Sequence, residues 1–266
     1  ALIDTKDVST SIVRALNAEN AKFADYFKNI SNIFIDEAQL LDCTAIDLVK
    51  KIRDACPWIS VDLIGDPAQN CKTDVSCEED EFMIQYAGHK YELLNNYRSC
   101  SNIVAFCNQT HPFSQITPMK STSGKSGRIQ LFVGTRAEQL NYFYTQLQSL
   151  QMNETIGILC SCRHPHPGMN THICCQDIAN FLNENGISFV IWYDENRSQT
   201  EFSSIQKRAA RIVVTTIQGC LGREFDHVFL FSYHHRFNKR IPTVRQHYHN
   251  CKLNHIARSR PKQSFV

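Results

Sequence analysis

An α/β fold built on parallel sheets is predicted by three features of the chain. Apolar, β-branched runs alternate with segments of helical period. Strands joined through helices run parallel and are covered on both faces. Polar motifs follow several of the runs, and in open α/β sheets ligands bind at the carboxyl ends of the strands.

Asn32–Ile35 is predicted as a strand that ends at the acidic pair Asp36-Glu37. In Cys43–Cys56, the residues Ile46, Val49, Ile52 and Ala55 fall on one helical face, and Pro57 stops the helix. Ile59–Ile64 is a second strand, running into Gly65-Asp66. After an acidic stretch containing Gly88, Leu93–Ser99 leads into a helix carrying Ile103, Val104 and Phe106, with Ser99 or Ser101 as its N-cap. Further on, Ile129–Val133 is expected as a strand, Arg136–Leu150 as a helix, Thr155–Cys160 as a strand and Ile173–Asn185 as a helix. Ile187–Trp192, Arg211–Thr215 and His227–Phe231 complete the strands, and there is no internal repeat.

At 266 residues the chain suits one large or two small domains. A hydrophobic share of 42% with 20% charged residues is that of a soluble globular protein, not a disordered or fibrous one. No run is apolar enough for a bilayer span, so no membrane partner is expected. The start at Ala1 and the close on Ser264-Phe265-Val266 read as a fragment whose last strand is cut short. Twelve cysteines without an export signal point to reduced thiols in an intracellular protein, nucleus and cytoplasm not being separated. The net charge of +2 hides an asymmetry. Acids dominate from Ile33 to Glu92, whereas from Lys207 onward only Glu224 and Asp226 oppose a run of bases. That half suits a polyanion, and a solvated basic face accounts for it equally well.

Five motifs carry the chemistry. Ile33-Phe34-Ile35-Asp36-Glu37-Ala38-Gln39 delivers two carboxylates to a strand tip, as a Mg²⁺ ligand and a water-polarising base require. An acidic helix N-terminus explains the pair as readily. Leu63-Ile64-Gly65-Asp66-Pro67-Ala68-Gln69 places a glutamine that can reach a terminal phosphate. Asn95-Asn96-Tyr97-Arg98-Ser99 sets an aromatic beside an arginine, which suits base stacking and phosphate pairing; an ordinary capped helix is the alternative. The fourth runs from Val214-Thr215-Thr216 through Gln218, Gly222 and Arg223-Glu224-Phe225-Asp226. The fifth is Ile256-Ala257-Arg258-Ser259-Arg260-Pro261-Lys262. By contrast, Gly124-Lys125-Ser126 only mimics a phosphate-binding loop: Met119 stands where the pattern needs glycine, and the stretch reads as a flexible connection.

In order and spacing, these motifs resemble motifs two to six of the UvrD/Rep family of superfamily 1 helicases. The resemblance extends over nearly the whole chain and implies two RecA-like P-loop NTPase lobes with parallel sheets, the first incomplete. Residues 1–88 would be the C-terminal part of the first lobe and 89–266 the second. ATP and Mg²⁺ are the implied cofactors, with ATP in the cleft between lobes and single-stranded DNA crossing both. RNA would serve as well, because phosphate and stacking contacts separate the two poorly. Asp36 would hold Mg²⁺, Glu37 would activate water, and Gln69 and Arg98 would contact the γ-phosphate. Tyr97 would stack on adenine, Gly222 and Glu224 would take the nucleoside side, and Arg260 would be the arginine finger. Thr216 and Gln218 would face the nucleic acid.

The chain departs from the family in several places. The lysine-bearing phosphate loop is not in the sequence, so this polypeptide alone is not expected to bind ATP productively. Asn70-Cys71-Lys72-Thr73 replaces an aromatic followed by Arg-Gly-Ala, Gln218 stands for histidine, and Leu221 for lysine. No large accessory insertion fits between Arg163 and Thr216. A scaffolding relative without a motor, or another nucleotide hydrolase on the same lobes, therefore stands beside the helicase reading. Cys160, Cys162, His164, His166, His172, Cys174 and Cys175 could supply zinc ligands, but their spacing fits loop and core better.

Overall fold

The computed structural model describes residues 25, 27–69, 89, 91–109, 117–118, 127–165, 172–192, 210–231 and 253–266. The Gly124-Lys125-Ser126 stretch, Asn70–Thr73, His166 and most of the basic residues between Lys207 and Lys252 lie outside them. The chain divides into two compact units, Ala1–Glu92 and Leu93–Val266. Every strand pair described is parallel, which establishes the expected α/β class.

In the first unit, β1 (Asn32–Ile35) pairs with β2 (Ser60–Leu63), Ile33 opposite Val61 and Ile35 opposite Leu63. Helix α1 (Cys43–Ala55) joins them; Asp42 caps it by accepting from the Ala45 N–H. Its buried face of Ile46, Val49 and Ile52 packs on Ile33, Ile35, Val61 and Leu63. The sequence pattern predicts cover on both sheet faces, but Asn32, Phe34, Ser60 and Asp62 are exposed, so these strands alternate instead. Among the described residues, the packed face is the one turned to α1.

The second unit begins with a short parallel pair, β3 (Asn95–Asn96) and β4 (Thr117–Pro118), with helix α2 (Ser101–Asn108) between them. Its main sheet has the order β5 (Arg128–Ile129), β10 (Pro261–Phe265), β9 (Phe225–Phe231), β6 (Ile156–Cys160), β8 (Ile212–Thr216) and β7 (Val190–Trp192). Central β6 and β8 are buried at every position, as expected of parallel strands between other layers. Helices α3 (Arg136–Ser149) and α4 (Cys175–Glu184) pack on alternate residues of β6, β8 and β9. At the centre Phe143 meets Phe229 and Phe231 edge-on, with centroids 5.0 and 5.4 Å apart. Helix α2 lies against the other flank, where Phe106 meets Phe265 and Ile103 packs with Ile129. Among the described residues, no helix is long and apolar enough to cross a membrane.

Two local expectations shift. The N-cap of α2 is Cys100, neither Ser99 nor Ser101, because the Ser99 hydroxyl is committed to the Pro261 carbonyl at 2.8 Å. The strand expected over Ile129–Val133 pairs only at Arg128–Ile129, because its ladder with β10 stops at Phe265 opposite Ile129.

Candidate functional site

The acidic tip of the first unit is built where β1 and β2 end side by side. The Ala38 N–H donates to the Ile64 carbonyl at 2.9 Å, tying the two exits together. Asp36 is exposed, and its Oδ1 accepts the Glu37 N–H at 2.9 Å. Glu37 sits in the left-handed region at φ 52°, the one non-glycine residue with positive φ among those described. Such a conformation persists only where neighbours over-determine it, and strained positions of this kind gather at working sites. Here the neighbour is Gln39, buried beneath the tip, whose Nε2 donates to Glu37 Oε2 at 2.6 Å. Gln39 Oε1 accepts the Asp66 N–H at 3.1 Å. Asp66 then accepts from Ala68 N and from Gln69 Nε2, both at 2.9 Å. Gly65 leaves room for the amide, since a Cβ there would push Gln39 Oε1 out of place.

In the second unit, three segments distant in sequence meet around Glu224. Asn96 Oδ1 accepts the N–H groups of Arg98 and Ser99, both at 2.9 Å, which turns the chain so that Tyr97 is 67% exposed. Ser99 Oγ on Pro261 and the Cys100 N–H on Lys262 O (3.1 Å) pin that turn to β10. Arg98 Nη2 lies 2.5 Å from Glu224 Oε1, and Lys262 Nζ lies 3.6 Å from Glu224 Oε2. The carboxylate is thus flanked by two cations, all partly solvated, so the ion pairs themselves contribute little stability. Gly222, at φ 70°, supplies the left-handed turn from which Arg223 and Glu224 lead to β9.

Arg260 stands behind this cluster rather than in it. It is 3% exposed, donating from Nε to the Ile256 carbonyl and from Nη1 to the Arg223 carbonyl, each at 3.2 Å. Its own carbonyl accepts the Phe225 N–H at 3.1 Å, so it braces the turn that presents Glu224. Arg223 also lays its guanidinium over Trp192, 3.6 Å from the ring centroid. Thr216 is buried, with Oγ1 accepting the Gly219 N–H at 3.0 Å, and Gln218 is half-buried in the short turn that follows.

The sequence pattern predicts that the polar motifs lie at carboxyl ends of strands. Asp36-Glu37, Gly65-Asp66 and Thr216 do; Glu224 and Arg260–Lys262 instead lead into the amino ends of β9 and β10. The reason is topological. Residues 217–224 separate the exit of β8 from the entry of β9, and the helical residues 253–259 run straight into β10. Below that entry the Thr155 N–H and Oγ1 both donate to Asp226 Oδ2, at 2.8 and 2.7 Å. Burial alone would raise the Asp226 carboxyl, but these bonds, with Lys262 and His227 nearby, hold it below the ordinary aspartate range. His227 Nδ1 is 2.7 Å from Ser264 Oγ, and Glu154 Oε2 lies 3.0 Å from Nε2. All three side chains are largely buried and brace the sheet.

The cysteine and histidine group divides. Cys160 and Cys175 belong to the main apolar core, and burial drives the Cys160 thiol well above its usual range. Burial, with a hydrogen bond to Asp177, pushes Cys174 up to about 11. Among the described residues, no three ligand-type side chains gather to hold a metal ion. A hydrated Mg²⁺ asks for less: one or two carboxylates plus phosphate oxygens, which the exposed Asp36 carboxylate fits. The sequence reading gives no site role to Gln39 or Lys262, although both lie within its motifs; what marks them is partner geometry, which a motif does not carry.

No family model matches the chain. Among solved structures it is similar to the C-terminal domain of a possible DNA helicase from Lactobacillus plantarum, with TM-score 0.38 and 16% identity over 64% of this chain and 86% of that one. Among curated proteins, the chain spans about a third of the length of the relative it matches. That relative, named "Putative ATP-dependent DNA helicase R568", is from Acanthamoeba polyphaga mimivirus, and over 238 residues the two are 28% identical, covering 88% of this chain and 34% of the relative.

Proposed function

We propose that the chain is part of an ATP-dependent DNA helicase or translocase of the UvrD/Rep-like superfamily 1 type, with residues 1–88 in one RecA-like lobe and 89–266 in the other. The observation that carries the reading is the meeting of residues 96–99, 222–226 and 260–262 around Glu224. These segments are the ones the resemblance assigns to the nucleotide. The similarity to the mimiviral protein, extending over both units, supports it further.

In this reading each residue has a defined task. Asp36 coordinates Mg²⁺, which neutralises phosphate charge when bound, and Glu37 takes the proton of the attacking water. Gln69 offers its amide to the terminal phosphate. Arg98 exchanges the Glu224 carboxylate for phosphate oxygens, a bidentate match for a guanidinium. Glu224, still neighboured by Lys262, becomes free to accept from a ribose hydroxyl. Tyr97 gives its exposed ring to adenine, and Gly222 lets the backbone approach. Thr216 and Gln218 lie on the strand-binding side, with single-stranded DNA as the substrate and RNA as an alternative. Arg260 acts as arginine finger only if the turn at Arg223 moves and releases its guanidinium.

That burial of Arg260 favours a second reading, in which a relative keeps the lobes and the strand binding but not the motor. Steady-state ATP hydrolysis by the full-length protein separates them. The helicase reading expects turnover that falls by about 10²–10³ in Glu37→Gln and in Arg98→Ala. No turnover in the wild type, with strand binding intact, would leave the scaffold.

A further inference from the structure

Gln39 is 4% exposed, yet both ends of its side-chain amide are used at the strand tips. Nε2 donates to Glu37 Oε2 at 2.6 Å, a short bond to a carboxyl oxygen. Oε1 accepts the Asp66 N–H at 3.1 Å, and Asp66 in turn holds Gln69 Nε2 at 2.9 Å. An unbroken run of hydrogen bonds therefore links Glu37, Gln39, Asp66 and Gln69 across the exits of β1 and β2. Only a side chain with a donor and an acceptor on one planar group completes it. Glutamate at this position would keep the acceptor for Asp66 and set a second carboxylate against Glu37. Methionine would fill the space and make neither bond. Gly65 keeps the room open above the amide.

We propose that Gln39 is a positioning residue, which fixes the Glu37 carboxylate and couples it to the Asp66–Gln69 turn. The water-activating acid and the phosphate-contacting glutamine then shift together rather than independently. This rests on the ATP-hydrolysis reading above. A carboxylate on a flexible stem loses effectiveness when its aim is lost, and misplacement by an ångström costs about 100-fold in rate.

The test uses the full-length protein as wild type, Gln39→Met, Gln39→Glu, Glu37→Gln and the double variant Glu37→Gln/Gln39→Met. Hydrogen exchange read by mass spectrometry over residues 60–69 should show the Asp66 amide exchanging at least about tenfold faster in Gln39→Met and unchanged in Gln39→Glu, which keeps the acceptor. Both single variants at Gln39 should lower kcat by about 10–100-fold with KM for ATP within about twofold. In the Glu37→Gln background, Gln39→Met should cost nothing more, because it acts through Glu37. Unchanged exchange at Asp66, an unchanged kcat, or multiplied effects in the double variant each overturn the inference alone. A wild type that hydrolyses no ATP overturns it together with the reading beneath it.

Discussion

Replacing Asp226 by asparagine tests how the entry of β9 is held. Asp226 Oδ2 accepts two bonds from Thr155, and the Asp226 N–H returns a third to Thr155 Oγ1 at 3.0 Å, a backbone bond that survives the substitution. Bonds to a charged acceptor contribute about 1.5–3 kcal/mol each against about 0.5–1.5 for neutral ones. Two such bonds, discounted because Asp226 is only partly buried, put the cost of Asp226→Asn at about 1–2 kcal/mol. The folded carboxyl is held below the ordinary value while the unfolded one titrates near about 3.9, so the stabilisation is fully present above about pH 5 and is lost as pH falls below about 4. The chain has two tryptophans, Trp58 in the first unit and Trp192 in the second, so a Trp58→Phe background reports on the second alone. Urea unfolding there should show the midpoint of Asp226→Asn lowered by about 0.5–1 M at pH 7. The gap should be smaller at pH 3 than at pH 7, because the stabilisation is lost as pH falls through the lowered folded value. A gap of the same size at both pH values, or none at pH 7, would refute the reasoning.

Two further outcomes follow from the second unit's interior. Phe143→Ala removes a ring that touches Phe229, Phe231 and Phe181, and should cost about 3–5 kcal/mol of stability, read in the same urea assay. Thiol reactivity under native conditions should be led by exposed Cys43 among the described cysteines; Cys107, pushed up to about 12 by burial, holds only about one part in ten thousand as thiolate at pH 8 and should stay unmodified until the unit unfolds.

The central strands were legible because both faces are buried: the apolar run of β6 and the β-branched run of β8 follow directly from that. The edge was less so. Leu131 and Val133 belong to a strand-like run, yet both are more than 80% exposed, since pairing depends on how far β10 extends rather than on the run itself. The acidic tip could be read from Asp36-Glu37 following β1, but the bridging amide of Gln39 could not, because a motif states residue types and not which atoms meet. Arg260 marks the same limit. Its place in the motif suggests a group offered outward, whereas its guanidinium is spent on the carbonyls of Ile256 and Arg223.

The most direct test of the proposed motor is whether single strands drive its ATP turnover. The full-length protein should hydrolyse ATP at least about tenfold faster with saturating single-stranded DNA than without it, a fall of about 1.4 kcal/mol in the barrier, and Glu37→Gln should abolish the increase. Turnover indifferent to single strands would contradict the motor and leave a nucleotide hydrolase of another kind.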